Sequence, residues 1–109
     1  MATAYISNAF SLQMVKPEDL GHVRLKPIYP PESEPLWRAV LSVEGLTSIV
    51  GHADIAAVLG VPMNRASVTL VRGDTLYVAQ LTGGRLPEGS TTLPEGFRLQ
   101  WVLVWFAEV

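Results

Sequence analysis

The side chains from which chemistry could be built in this sequence are few. His52 follows Gly51 at the start of an expected helix. Helix N-termini gather positive potential and free N–H groups that suit phosphate. A histidine there is therefore either a functional group or a ring that caps or packs the helix. The second histidine, His22, alternates with Val23 and Leu25 and is expected to point outward from a strand. Glu88 stands in Arg85-Leu86-Pro87-Glu88-Gly89, a polar turn after Gly83-Gly84. Taken alone it reads as a solvated turn carboxylate. Leu-Pro-Glu-Gly occurs at 86–89 and again at 93–96, without the arginine the second time. Such a turn repeated once is too short for a structural repeat. Asn64-Arg65 could be surface decoration, and Asn8 and Ser11 could be backbone caps.

Much chemistry is excluded. The sequence has no Walker-type phosphate loop, no His-Glu-x-x-His and no Gly-x-Ser-x-Gly. Two distant histidines without cysteine are a poor basis for zinc, and no Asp/Glu pair resembles a two-magnesium nuclease. No metal or cofactor is expected. One reaction fits that shortage. Cleavage of RNA at a 2′-hydroxyl takes its nucleophile from the substrate, so the protein has only to hold that hydroxyl in line with the departing 5′-oxygen. Histidine is the natural donor of a proton to the leaving oxygen. Arginine and backbone N–H groups suit the charge that builds on the phosphoryl oxygens. A carboxylate beside the histidine would hold the imidazole and favour its protonated form.

The elements that must position these groups fit in one domain of 109 residues. With 49% apolar residues the chain can bury a core, though a domain this small leaves much surface open and gains from dimerisation. The absence of cysteine removes disulfides and thiolate nucleophiles and suits a reducing cytoplasm. No signal peptide is read at Met1–Tyr5, and the apolar run Leu99–Ala107 is far short of the roughly 20 residues of a membrane span. A net charge of −2 speaks against a protein that coats long DNA or RNA.

Tyr5–Phe10 reads as a strand running into a polar turn. Val23, Leu25 and Ile28 suggest a second strand with one buried face, which Pro27 places at an edge or ends. Tyr29–Glu34 is a loop, and Ser33 caps an expected helix over 34–43. A short helix is expected at Ala53–Leu59, stopped by Gly60 and Pro62. Ser67–Val71 and Thr75–Leu81 suggest a hairpin around Arg72-Gly73-Asp74. Phe97–Glu108 reads as a strand with Trp101, Leu103 and Trp105 on one face and Val102, Val104 and Phe106 on the other. Apolar residues on both faces indicate a central strand or one covered by a partner. The sum is an α/β (α+β) domain: a mixed sheet flanked by two helices.

At this point the residues resemble a known family, the small viral anti-CRISPR ring nucleases of type III systems and their bacterial relatives, the CRISPR ring nuclease 2 group. The matching pieces come in order. They are Ser7-Asn8-Ala9-Phe10-Ser11, Ile49-Val50-Gly51-His52, Val61-Pro62-Met63-Asn64-Arg65, Gln80-Leu81, and Arg85-Leu86-Pro87-Glu88-Gly89. The resemblance implies a two-fold homodimer that binds cyclic tetra-adenylate across its axis. It implies cleavage without metal into linear di-adenylates with 2′,3′-cyclic phosphate ends. By that resemblance His52 is the general acid and Glu88 orients or charges it, from the same or the opposite subunit. Arg65 and Arg85 hold phosphates, and Asn8, Ser11 and Gln80 contact ribose or adenine, with Gly51 beside them. The proline-rich 29–35 loop and the tryptophan-bearing C-terminal strand depart from the family's pattern. A two-fold dimer would repeat each site residue about an axis that a ring of four identical nucleotides shares.

Two other readings stand beside this one. The same dimer could capture the cyclic nucleotide without cutting it, as a sensor or sponge. Alternatively, the chain is a structural or regulatory dimer, with Trp101, Trp105 and Phe106 as an interface where core packing is the plainer expectation.

Overall fold

The structure is a computed structural model and describes residues 3–28, 44–84, 86–89, 92 and 95–107. Among them, five strands form one mixed sheet: β1 (Ala4–Ser7), β2 (Val23–Ile28), β3 (Thr47–Ser48), β4 (Thr75–Thr82) and β5 (Arg98–Phe106), in the order β2-β5-β4-β1-β3. β1 lies between β3 and β4 and is parallel to both, whereas β5 is antiparallel to β2 and β4. A single α-helix, α1 (Ala53–Leu59), and two 3-10 turns (Leu12–Met14 and Pro17–His22) complete the α+β architecture among the described residues. The helix expected over 34–43, its Ser33 cap and the loop before it lie outside the described residues. No helix among the described residues is long and apolar enough to cross a membrane.

Alternation along the strands divides the core in two. On one face Ile6, Ala79 and Trp101 pack with Val50, with Ile55, Ala56 and Leu59 of α1, and with Leu86. On the other, Leu76, Val78, Val104 and Phe106 pack with Val15, Ile49 and Leu70. The face assignment read from the 97–108 pattern therefore holds, and β5 is a central strand. Trp101 and Phe106 are buried core residues, and Trp105 is half-buried. α1 has the expected bounds because Gly60 closes it in the left-handed region (φ +74°), donating its N–H to Ala56 and Ala57 carbonyls.

Three expectations need correction. Ser67–Val71 does not form a hairpin with β4. Its one strand-like contact is a parallel bridge from Leu70 to Val15, and the antiparallel partner of β4 is β5. The turn itself forms, because the buried Asp74 accepts N–H bonds from Val71 and from Thr3 and so ties the turn to the start of β1. Leu70 N–H donates to the Met14 carbonyl at 2.7 Å and so holds Ser67–Val71 against the first 3-10 turn. His22 is not a strand residue: it ends the second 3-10 turn and is half-buried, its carbonyl accepting from Ala107. β2 is the edge strand that Pro27 suggested, but it has no continuous buried face. Leu25 is 56% exposed and borders a hollow with Phe10, Val78 and Val102.

Candidate functional site

Because β1, β3 and β4 run parallel, their carboxyl ends lie along one edge of the sheet. The chain segments leaving that edge carry most of the candidate residues. Asn8 follows β1, Gly51 and His52 follow β3, Gln80 lies near the end of β4, and the 86–89 turn comes after it. In open α/β sheets the crevice beyond the strands' carboxyl ends is where ligands bind.

Three candidate residues, Asn8, Gly51 and Arg65, interlock at the Gly51 main chain. The Gly51 N–H donates to Asn8 Oδ1 at 3.2 Å, and the Gly51 carbonyl accepts from Arg65 Nε at 3.1 Å. A methyl group added at Gly51 would meet the Arg65 side chain at 3.6 Å, an ordinary contact, so Arg65 lies along the glycine. Its Nε is engaged, and no described residue bonds its two terminal nitrogens.

His52 is the N-cap of α1. Its Nδ1 accepts from the Ile55 N–H at 3.4 Å, a long bond, and its backbone is extended (φ −120°, ψ 120°). Of the two readings left open for this residue, capping is therefore seen directly. The cap has a chemical consequence. With Nδ1 accepting, the neutral ring carries its proton on Nε2, and no described residue bonds that nitrogen. The ring also takes one of the helix N–H groups that a phosphate was expected to meet.

Arg65 is placed by Asn64, which alone read as surface decoration, and by Ser48, to which the sequence reading gave no role. Asn64 donates its backbone N–H to the Val50 carbonyl (2.8 Å) and its Nδ2 to the Ser48 carbonyl (3.0 Å), while its Oδ1 accepts from Ala66. Ser48 Oγ donates to the Pro62 carbonyl and accepts from Val50 N–H. The 62–66 segment is thereby fastened alongside the exit from β3. An asparagine before an arginine carries no local signal for this, because its partners are many positions away.

Glu88 is exposed, and its turn rests on α1. Leu86 is buried in the core with Ile55, Ala56 and Leu59, and the Gly89 N–H donates to Asp54 Oδ1 at 3.2 Å. Glu88 thus approaches the helix that His52 caps, but it forms no hydrogen bond or ion pair with His52 or with any other described residue. Arg85 lies outside the described residues. Asp54 was not read from the sequence, where an acid in a helix's first turn signals only helix stability.

Ser11 and Gln80 are held more loosely. Ser11 Oγ accepts from Gln13 N–H and caps a 3-10 turn, as the capping alternative has it. It borders a groove of about 300 Å³ with Ala66 and Ser67. Gln80 is exposed and borders the hollow of about 250 Å³ formed with Phe10, Leu25 and Val102. A third hollow, about 310 Å³ beside Arg98 and Trp101, contains no candidate residue. Volume is thus a poorer guide here than the hydrogen-bonded cluster. Among the described residues no three His, Asp or Glu side chains converge as a metal site requires.

The sequence matches the model of the STIV B116-like family over residues 4–98. The chain belongs to the STIV B116-like family. Its fold is similar to that of B116 of Sulfolobus turreted icosahedral virus, with a TM-score of 0.71 over 94% of this chain and 98% of that one, at 22% identity. At that identity the likeness is one of fold, and it places this B116-like sheet in company that includes a viral protein. No curated protein matches the chain.

Proposed function

We propose that this protein is a ring nuclease that binds cyclic tetra-adenylate as a two-fold homodimer and cleaves it without metal, switching off type III CRISPR signalling. The observation that carries the reading is the Asn8–Gly51–Arg65 interlock with His52 next to it at the carboxyl edge of three parallel strands. It gathers residues of three of the sequence pieces that resemble the ring nucleases. Membership of a family with a viral relative of this fold agrees with that resemblance.

In the proposed reaction a ribose 2′-oxygen bonds to phosphorus and the bond to the 5′-oxygen breaks. The 2′-hydroxyl loses its proton and the 5′-oxygen gains one. The products are a 2′,3′-cyclic phosphate and a free 5′-hydroxyl. The ring nitrogen of His52 that can serve is Nε2. While the cap holds, the neutral imidazole offers an Nε2–H bond to a phosphoryl or leaving oxygen. To act as a full general acid, the doubly protonated ring must give up its bond from Ile55, since Nδ1 then carries a proton of its own. Arg65, with Nε on Gly51, keeps its terminal nitrogens for phosphate. Glu88 is assigned to orient His52, and Asn8, Ser11 and Gln80 to ribose or base, with Arg85 as a second phosphate contact. A second copy of the chain supplies the other half of the pocket.

The same cap supports a second reading, a module that holds the ring intact. A histidine whose visible bond serves its own helix, with no carboxylate on it, is competent for binding without proton transfer. Incubating the protein with cyclic tetra-adenylate in EDTA and resolving the products decides between them. Linear products with cyclic phosphate ends support the nuclease, and an intact ring retained on the protein supports the module. Sedimentation with and without the ring tests the dimer.

A further inference from the structure

We infer that Asp54 is the positioning residue for Glu88, and that its carboxylate sets the turn carrying Glu88 at the N-terminal end of the helix capped by His52. The inference rests on the ring-nuclease reading only for the consequence in catalysis; the clamp itself stands on geometry.

Two of the attachments that flank Glu88 are of unequal kind. On one side Leu86 is sunk in the core against α1. On the other, Gly89 N–H bonds to Asp54 Oδ1 at 3.2 Å across 35 positions of sequence. Burial of Leu86 fixes where the turn meets the sheet, but a hydrophobic contact is non-directional. The Asp54–Gly89 bond has a direction, and it acts on the residue immediately after Glu88. Gly89 has a positive φ (+80°), so the chain reverses there, and the bond holds the reversal against the first turn of α1. Asp54 is also two residues after His52 on the same helix. Movement of the helix end therefore carries both the imidazole and the glutamate's tether. No other described residue bonds Asp54, although its charge also favours the N-terminal end of α1.

The carboxylate acts here as an acceptor, which an amide oxygen can replace. Asp54→Asn is therefore expected to preserve the clamp and Asp54→Ala to release it. A displacement on the order of 1 Å costs roughly 10²-fold in rate when a reacting group is affected. We expect Asp54→Ala to lower kcat for cyclic tetra-adenylate about 10- to 100-fold with KM little changed. We expect Asp54→Asn to recover most of the rate, and Asp54→Ala to add nothing in a Glu88→Gln background. Full activity in Asp54→Ala, equal losses in Asp54→Ala and Asp54→Asn, or an undiminished further loss in Glu88→Gln would each overturn the role. Amide hydrogen exchange at Gly89 reads the clamp without any substrate. Protection should fall in Asp54→Ala and persist in Asp54→Asn, and equal exchange in wild type and Asp54→Ala would overturn the proposal whether or not the ring is cut. If Gly89 is released as expected while wild type leaves the ring intact, the nuclease reading has failed and the clamp stands.

Discussion

Two groups of candidate side chains meet the same edge of the sheet, and they are held in different ways. Asn8, Gly51 and Arg65 are joined by main-chain-directed bonds that span 43 positions between Asn8 and Gly51 and 14 between Gly51 and Arg65, and His52 follows Gly51 as the cap of α1. Ser11 bonds only its own turn, two positions away, and the Gln80 side chain bonds no described residue. The first group is set before any ligand arrives. The second is free to adapt to one. Groups that touch reacting atoms gain most from being fixed in advance, whereas groups that read a base or sugar tolerate adjustment. The contrast predicts that changes in the interlocked group act on rate or on coupled binding, and changes in the loose group on affinity alone.

The largest expected effect lies at His52, where cap and chemistry can be separated. His52→Ala should slow cleavage by roughly 10²–10⁴, the usual contribution of a proton-transferring side chain. It should also cost about 1 kcal/mol through loss of the cap. Asparagine is a good N-cap without a ring nitrogen, so His52→Asn should restore thermal stability and leave cleavage as slow as in the alanine variant. A His52→Asn protein that cuts at the wild-type rate would reduce His52 to a helix cap and erase the contrast drawn above. Ring ¹⁵N spectra should show a proton on Nε2 and none on Nδ1 in the neutral form.

Arg65 comes next. Arg65→Ala is expected to weaken binding of the cyclic ring at least about tenfold, or ~1.4 kcal/mol, with a smaller effect on kcat. Arg65→Lys should recover little, because lysine has no nitrogen at the Nε position to keep Gly51 while separate terminal nitrogens reach a phosphate. Titration calorimetry on an uncut ring analogue measures both. Wild-type affinity in Arg65→Ala would free the arginine from any ligand role.

How much of this was legible in sequence follows from the range of each contact. α1 was read to its bounds, since Gly60 and the apolar spacing of Ile55, Ala56 and Leu59 are local signals. The faces of β5 were legible for the same reason. The hairpin before β4 was misread because Ser67–Val71 has strand composition, while its partners, Met14 and Val15, lie far along the chain. At the site, His52 stood out by its type and place, and Arg65 only through the resemblance. What ties the site together did not: Asn8, Asn64 and Asp54 each reach distant main chain with a side-chain bond, and no period or spacing encodes such bonds.

Gly51 gives a smaller and sharper test. Its φ is not positive, and a methyl group there would meet only Arg65 at ordinary contact distance. The fold therefore does not require glycine, and Gly51→Ala should leave stability unchanged or raise it by about 0.4–1 kcal/mol through the unfolded state. Loss of ring binding at unchanged or higher melting temperature would assign the glycine to close approach of the ligand. Unimpaired binding would remove it from the contact surface.

The smallest single effects belong to the loose group, yet their additivity tests the contrast most directly. Ser11→Ala and Gln80→Ala should each weaken ring binding about three- to tenfold, the worth of one hydrogen bond of ~0.5–1.5 kcal/mol. Neither side chain shares a partner with the other, so the double variant should lose the sum within about 0.5 kcal/mol. Asn8→Ala and Arg65→Ala should behave otherwise. Both act on the Gly51 main chain, one at its N–H and one at its carbonyl, so releasing either already loosens what the other holds. Their double variant should therefore lose less than the sum, by an interaction energy of about 0.5–3 kcal/mol. Coupling in Ser11/Gln80 with strict additivity in Asn8/Arg65 would invert the comparison: the ligand, and not the fold, would then be what organises this edge of the sheet.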